Sequence, residues 1–273
     1  MRAIIRRPEL ITAFALLLLT ALAWLLMAGG PQAVVTTPAT GAVHAMHDHA
    51  HMAGHAHMAG HAARDWRVAD ALAALSMWWI MSVAMMLPTA VPAILAFARA
   101  DAGGAAAAGR ALRRSGLFTI GYLLVWWGFG IAATGLQWLL ADSMHRLDLP
   151  PGAPALCAGG LMLAVGLYQF SGLKRRCLAH CHSPLAHVQD HVYAAPSGAL
   201  LHGLRHGVHC VGCCWAMMLL MLLTGAMNIG WTAALTLLML AEKLVPRGYL
   251  VGRIAGCGFI AWGVVQIVAR GWA

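Results

Sequence analysis

Charged residues are scarce in this 273-residue chain, where Asp, Glu, Lys and Arg together make up only 10%. A soluble domain carries roughly a quarter, whereas 61% of this chain is hydrophobic and its mean hydropathy is +0.73. The deficit of charge excludes an ordinary soluble domain and indicates that lipid is the solvent. Acidic residues are scarcer than basic ones, 9 against 18, which leaves a formal charge of +9. Because the basic residues stand at the ends of apolar segments, we expect no nucleic-acid partner.

Nucleotide-binding signatures are also missing. The sequence contains neither the GxxxxGK[ST] loop nor the dinucleotide glycine fingerprint, so it carries no ATP motor of its own. Its seven cysteines are odd in number and lack the spacing of a secreted disulfide framework. Five of them crowd together, which indicates chemistry or metal binding rather than covalent crosslinking: Cys177, Cys181, Cys210, Cys213 and Cys214.

The chain instead has seven apolar stretches, each long enough to cross roughly 30 Å of hydrocarbon as a helix. Backbone polar groups must be satisfied inside the bilayer, which favours helices. We therefore predict an all-α fold, a polytopic transmembrane helical bundle of about seven spans. The spans are expected at residues 10–28, 71–98, 116–141, 153–173, 206–224, 228–243 and 249–270.

The basic residues predict the orientation of the spans. With the N-terminus in the cytoplasm, fourteen of the eighteen Lys and Arg residues fall on the cytoplasmic side. Three regions follow: a membrane anchor or signal at 1–29, a flexible exterior tract at 30–70, and a six-helix membrane domain at 71–273 with a cytoplasmic Cys/His loop at 174–205. The apolar run at 10–27 is longer than a usual signal core, which favours an uncleaved anchor; cleavage would leave six spans.

A histidine-rich tract lies in the exterior region. Seven histidines fall within residues 44–61, HAMHDHAHMAGHAHMAGH, which contain two copies of HAHMAG. Imidazole and thioether groups are donors for borderline and soft transition metals. Chance low complexity is the alternative, but Met recurs in register with His. The predicted ligands are His44, His47, His49, His51, His55, His57 and His61.

Methionines recur in the second span. Met77, Met81 and Met85 lie four residues apart and stack along one helix face, with Met86 beside them. Thioether ladders suit Cu(I), which accepts soft ligands in low coordination. Pro88 follows, and a second proline lies at position 92. Each proline leaves a carbonyl without its helical donor, so the helix should kink or open there. Ordinary packing is the alternative interpretation, because Met fills gaps.

The fifth span supplies a denser set of donors. On a helix, His206, Cys210 and Cys213 fall within about 60° of one another, so the three could point at one ion. Cys214 follows directly. The upstream segment KRRCLAHCHS places Cys177 and Cys181 four residues apart, and its cationic neighbours favour the metal-binding thiolate.

Small residues accompany these donors. Gly203 and Gly207 form a small-xxx-small pair that would let the fourth or another helix approach closely. That approach would bring the edge of Cys177 and Cys181 toward Cys210 and Cys213. Further along, the Glu-Lys pair at 242–243 ends the sixth span and is interpreted as a helix-end or interfacial ion pair.

Five segments in order resemble a known family: SMWWIMSVAMMLPTAVPAILAFAR, GYLLVWWGFGIAATGLQW, LYQFSGLKRRCLAHCHSPL, GLRHGVHCVGCCWAMMLLM and EKLVPRG. The family is an uncharacterised bacterial one of predicted metal-binding integral membrane proteins, a domain of unknown function, and the resemblance covers about 71–270. It implies a polytopic fold in a bacterial inner membrane and metal contact through the Met, Cys and His positions of these segments. It implies no settled activity.

Two functions of different classes fit these observations. The first is transport or delivery of a soft transition metal, copper first, with nickel, zinc and cobalt as alternatives. In that case the partners are the lipid bilayer, metal ions, and other membrane or metallochaperone subunits. The second is a membrane thiol-disulfide oxidoreductase using Cys210 and Cys213, with Cys177 and Cys181 as an exchanging pair. A cytoplasmic, reducing location weighs against it. A non-catalytic assembly subunit is a third possibility, and no catalytic residue is assigned.

Overall fold

The computed structural model describes residues 8–29, 68–99, 104–146, 153–182, 196–221 and 229–271. All regular secondary structure in these ranges is helical, which confirms the all-α prediction. The helices are α1 (Pro8–Gly29), α2 (Val68–Arg99), α3 (Gly104–Arg146), α4 (Ala153–Tyr168), α5 (Gly172–His182), α6 (Pro196–Leu219), α7 (Ile229–Leu244) and α8 (Gly248–Gly271). The histidine tract at 44–61 lies outside the described residues.

Four helices of the described part of the chain, or five spans with a bent pair, are long and apolar enough to cross a membrane. Helices α1, α2, α3 and α8 are long and apolar enough to cross a membrane, and α4 with α5 could form a fifth span bent by 59°. Helix α7 has 16 residues, so it rises about 24 Å, less than the roughly 30 Å of hydrocarbon. Helix α6 carries Gly, His and Cys where a span carries aliphatic residues. The predicted count of seven spans is therefore not confirmed.

The candidate spans differ in how far they are buried. Only 17% of the apolar stretch of α1 and of α8 is buried inside the protein, against 61% for α2. Phe14, Leu25 and Ile254 are among the large apolar side chains that point outward. Continuous outward apolar surface of this kind needs a covering of lipid or protein. Helix α2 instead contributes its side chains to the core.

Glycines set the packing of α6 against α3. A Cβ atom at Gly203 would collide with the carbonyl oxygen of Phe118, and one at Gly207 would lie 2.9 Å from Cβ of Val125. The small pair therefore allows the predicted close approach, and the helix that approaches is α3. This contact carries Tyr122 to the face of α6 that bears the cysteines.

A second glycine contact joins α4 and α8 in antiparallel register. A Cβ at Gly166 would lie 2.8 Å from the carbonyl oxygen of Gly256, and one at Gly263 would lie 2.8 Å from that of Gly159. Both pairs are seven residues apart along their helices, which places them on one face two turns apart. This close packing holds the end of α4 where the chain bends into α5.

Pro88 is accommodated within one continuous helix. Helix α2 runs from Val68 to Arg99 with Pro88 and Pro92 inside it. Pro88 has no N–H to donate to the carbonyl of Ala84 four residues earlier. The indole Nε1 of Trp24, on α1, donates to that carbonyl at 3.1 Å. The carbonyl released by the proline is thus bonded to a neighbouring helix instead of opening α2.

Candidate metal centre

Four thiols from two helices meet in the protein interior. Cys210, Cys213 and Cys214 on α6 are each at most 1% exposed, and Cys181 on α5 is partly buried. The thiol of Cys213 interacts with the thiols of the other three. We call Cys181, Cys210, Cys213 and Cys214 the thiol cluster.

Cys177 lies one helical turn before Cys181 and packs against α6 at Gly212. A Cβ atom at Gly212 would lie 2.7 Å from the sulfur of Cys177. The absence of a side chain at Gly212 therefore makes room for α5. The upstream cysteines do lie against α6, but at Gly212 and not through Gly203 and Gly207, which pack against α3 instead.

The sulfur of Cys210 has two polar neighbours from other helices. The ammonium Nζ of Lys243, on α7, donates to it at 2.9 Å. The hydroxyl of Tyr122, on α3, lies 3.0 Å from it and also donates to the carbonyl of Met86 at 2.9 Å. An ammonium group and a phenol hydroxyl from two other helices thus contact this one sulfur.

The other two thiols of α6 point at a backbone carbonyl. Cys213 and Cys214 donate their S–H groups to the carbonyl oxygen of Cys210, at 3.1 and 2.8 Å. The sulfur of Cys214 also lies 3.6 Å from the thioether sulfur of Met86. Cys210, Cys214 and Met86 thus bring two thiols and one thioether to the junction of α2 and α6.

Lys243 and Glu242 have separate buried partners, so their interpretation as a helix-end or interfacial ion pair is wrong. Lys243 donates to the hydroxyl of Thr89 at 3.1 Å and lies 3.9 Å from the sulfur of Met86. Glu242 instead forms an ion pair with Lys174 of α5 at 2.7 Å. Adjacent positions on a helix differ by about 100° in direction, so one side chain reaches the thiol cluster and the other reaches α5.

His206 lies among aromatic rings. Its ring centre is 5.6 Å from that of Phe118 and 5.9 Å from that of Tyr122, and the side chain is buried. It shares the predicted face of α6 with Cys210, and its role as a ligand stays a prediction. At the edge of the cluster, the rings of His180 and His209 stack at 3.8 Å.

The predicted methionine ladder is part of the core. Met81 and Met85 are fully buried, and Met77 packs against the same hydrophobic cluster. Met86 is the methionine beside the thiols. Sequence spacing does not distinguish Met86 from its neighbours, because its contact depends on how α6 and α7 pack against α2.

Lys243 and Tyr122 were not singled out as site residues. For Lys243 a signal existed: a lysine at the end of an apolar stretch is a candidate functional residue when it faces the bundle interior. Tyr122 carried no such signal, since a tyrosine in a membrane helix is common.

Within the described ranges, no group of three or more His, Cys, Asp or Glu side chains is arranged to hold a metal ion. Cys210, Cys214 and Met86 offer two cysteine sulfurs and one thioether, and donors of this soft type suit Cu(I) in low coordination.

The family of the chain is indicated by a match to a protein-family model. The model of a family described as a copper chaperone, PpoB2, matches residues 75–266, which is well over half of the chain. The matched segment runs from within α2 to within α8 and includes every residue of the thiol cluster. No curated protein and no solved structure matches the chain.

Proposed function

The chain belongs to this copper chaperone family, and from that premise we propose that it is a membrane-embedded carrier that binds Cu(I) and delivers it to an acceptor. Copper is the cargo, and no reaction is catalysed. The observation that carries the proposal is the meeting of Cys210, Cys214 and Met86 in a buried place.

The first step is binding at these three sulfurs. Cys214 already lies 3.6 Å from Met86, and its S–H group is held on the carbonyl of Cys210. Rotation of the Cys214 side chain away from that carbonyl would free its sulfur for an ion, with loss of the thiol proton. Cu(I) needs few ligands, so two thiolates and a thioether suffice.

The methionines of α2 provide a route toward this site. The ladder from Met77 to Met85 rises about 12 Å along the helix, and Met86, turned about 100° from Met85, would pass the ion to the thiols. In the predicted orientation, Met77 lies on the side of the histidine tract. Thiolates bind Cu(I) more tightly than thioethers do, so the ion would move from Met77 toward the cysteines.

Onward delivery would use Cys213 and Cys181. The thiol of Cys213 interacts with Cys210 on one side and with Cys181 on the other. Cys181 is less buried than the cysteines of α6. Stepwise exchange between neighbouring thiolates would therefore bring copper to the protein edge, where the acceptor is a metallochaperone or membrane subunit that offers thiols.

The expected membrane setting is consistent with movement of copper from the outer side to the cytoplasmic side. Helices α1 and α8 expose most of their apolar surface, which suits contact with lipid. The predicted orientation puts the basic segments, and Cys181 with them, at the cytoplasmic side of a bacterial inner membrane. The histidine tract would then collect ions on the outer side.

A thiol-disulfide oxidoreductase is the second candidate. It is favoured by the contact between Cys213 of α6 and Cys181 of α5, because a disulfide between them would join two helices. This alternative predicts redox-dependent labelling of the two cysteines without bound metal. The carrier predicts bound copper under reducing conditions.

The decisive experiment measures copper per protein in the full chain, purified in detergent under reducing conditions and loaded with Cu(I). Cys210→Ser and Cys214→Ser should each lose about one copper relative to the unmodified chain. Cys257→Ser, at an exposed cysteine outside the cluster, is the matched control and should lose none. The histidine tract is unchanged in all variants, so the difference isolates the cysteine site. Equal copper content in all of them would refute the proposal.

Cys181→Ser and Cys213→Ser separate storage from delivery. The proposed relay predicts that Cys181→Ser keeps its copper but releases it more slowly to a thiol-bearing acceptor added in solution. Unchanged release from both variants would remove the relay and leave only the binding site.

A further inference from the structure

Lys243 is a buried cation without a carboxylate partner among the described residues. It is 7% exposed, and its ammonium contacts the hydroxyl of Thr89, the thioether of Met86 and the sulfur of Cys210. Burying an ammonium without a compensating negative charge is costly. The group nearest to this ammonium that can carry a negative charge is the thiol of Cys210.

The neighbouring buried charges, Lys174 and Glu242, already cancel each other. Glu242 is paired with Lys174, whose Nζ lies 2.7 Å from Oε2 of the glutamate. The side-chain oxygen of Gln169 completes that pairing. The Lys174–Glu242 pair thus contributes no net charge, and Lys243 remains as one positive charge beside the sulfurs.

We propose that Lys243 determines the specificity of the site for a monovalent soft ion over a divalent one. The proposal rests on the metal site assigned above to Cys210, Cys214 and Met86. Two thiolates and one Cu(I) carry a single net negative charge, which Lys243 neutralises. Two thiolates and one Zn(II), Ni(II) or Co(II) are already neutral, so Lys243 would be left uncompensated.

Burial of the site makes this difference in net charge energetically large. Charges a few ångströms apart interact much more strongly in a poorly solvated interior than in water. The positions of the contacting atoms place Lys243 next to both Cys210 and Met86, so its charge acts directly on the ion. Thiol softness alone does not separate Cu(I) from Zn(II), because Zn(II) also binds thiolates. Net charge supplies the discrimination that ligand type does not.

The test compares binding of Ag(I), a redox-inert monovalent probe, with binding of Zn(II) to the full chain in detergent. Free ion concentrations are set by chelator buffers, and binding to the cysteine site is the difference from Cys210→Ser. Lys243→Met, which keeps length but removes charge, should lower the ratio of Ag(I) to Zn(II) affinity by about 100-fold. Lys243→Arg keeps the charge and should retain most of the preference.

A second variant applies the same charge argument without removing Lys243. Met86→Cys adds a third thiolate, which makes the divalent complex neutral together with Lys243. This variant should shift the preference toward Zn(II), and it preserves the test if Lys243→Met does not fold. An unchanged ratio in the variant that folds, or an equal loss for both ions in Lys243→Met, would overturn the inference.

One outcome separates this inference from the proposed function. If the unmodified chain shows cysteine-dependent binding of neither Ag(I) nor Zn(II), the metal site itself is wrong. If it binds Ag(I) and the variants keep the original ratio, only the role of Lys243 is wrong.

Discussion

The Lys174 ammonium and the Glu242 carboxylate form an ion pair at 2.7 Å in which the side chains are 3% and 1% exposed. The pair ties α5, which carries Cys181, to α7, which carries Lys243. The helix that carries one thiol of the cluster and the helix that carries the neighbouring cation are therefore joined by an ion pair that does not contact the sulfurs.

Breaking this pair should destabilise the protein. Lys174→Met leaves the Glu242 carboxylate buried without a cation, which costs about 3–5 kcal/mol of unfolding free energy. Denaturant unfolding in detergent is the measurement. Arg175→Met, at the exposed neighbouring position, is the control and should change little. Adding Glu242→Leu to Lys174→Met should recover part of the loss, and no recovery would argue against an electrostatic origin.

Packing of α3 against α6 should control the metal site from a distance. Gly203→Ala forces a Cβ atom against the carbonyl oxygen of Phe118. A backbone atom cannot move aside as the end of a flexible side chain can. The helices should separate, carrying Tyr122 away from Cys210 and weakening copper binding. Gly128→Ala, with nothing within 4 Å of its Cβ, is the matched control. Unchanged copper affinity in Gly203→Ala would show that the site tolerates the separation.

The predicted orientation can be measured with a membrane-impermeant thiol reagent on intact cells. The buried cysteines should stay unmodified in any orientation, so reporters in connecting segments are needed. Asp148→Cys, predicted outside, should be labelled, and Ser183→Cys, predicted inside, should not, both in a chain lacking Cys157 and Cys257. The reverse pattern would invert the orientation and place Cys181 on the outer side.

The histidine tract should raise efficiency without defining the site. It is tethered and redundant, so it increases the local ion concentration near the bundle. Deletion of residues 44–61 should therefore reduce copper binding and uptake at scarce metal and leave both nearly unchanged at abundant metal. Loss of all binding at abundant metal would make the tract the principal site.

Much of the helical architecture was predictable from hydropathy. Apolar runs of membrane length are local properties of the chain, so the positions of α1, α2, α3 and α8 followed from composition. The count of spans did not, because α7 has only 16 residues and α6 carries Gly, His and Cys among its apolar residues. Both helices still expose apolar side chains, among them Val208 and Leu237.

The residues of the candidate site were also only partly predictable from the sequence. Helical periodicity predicted that Cys210, Cys213 and His206 share a face. Glycine spacing predicted a close helix approach at Gly203 and Gly207, but the helix that approaches is α3, and the upstream cysteines meet α6 at Gly212. Spacing could not predict Met86, Tyr122 or Lys243, since each comes from a different helix.

The sequence alone determined an apolar helical protein with soft-metal donors clustered along two of its segments, because periodicity along one helix depends only on nearby residues. The tertiary structure decided which sulfurs meet, and that Lys243 faces Cys210 while its neighbour Glu242 faces Lys174. Those contacts depend on the rotation and crossing of helices far apart in the chain. The physical reason is that burial forces each polar group to find a partner, and the partner available is set by the helix packed opposite.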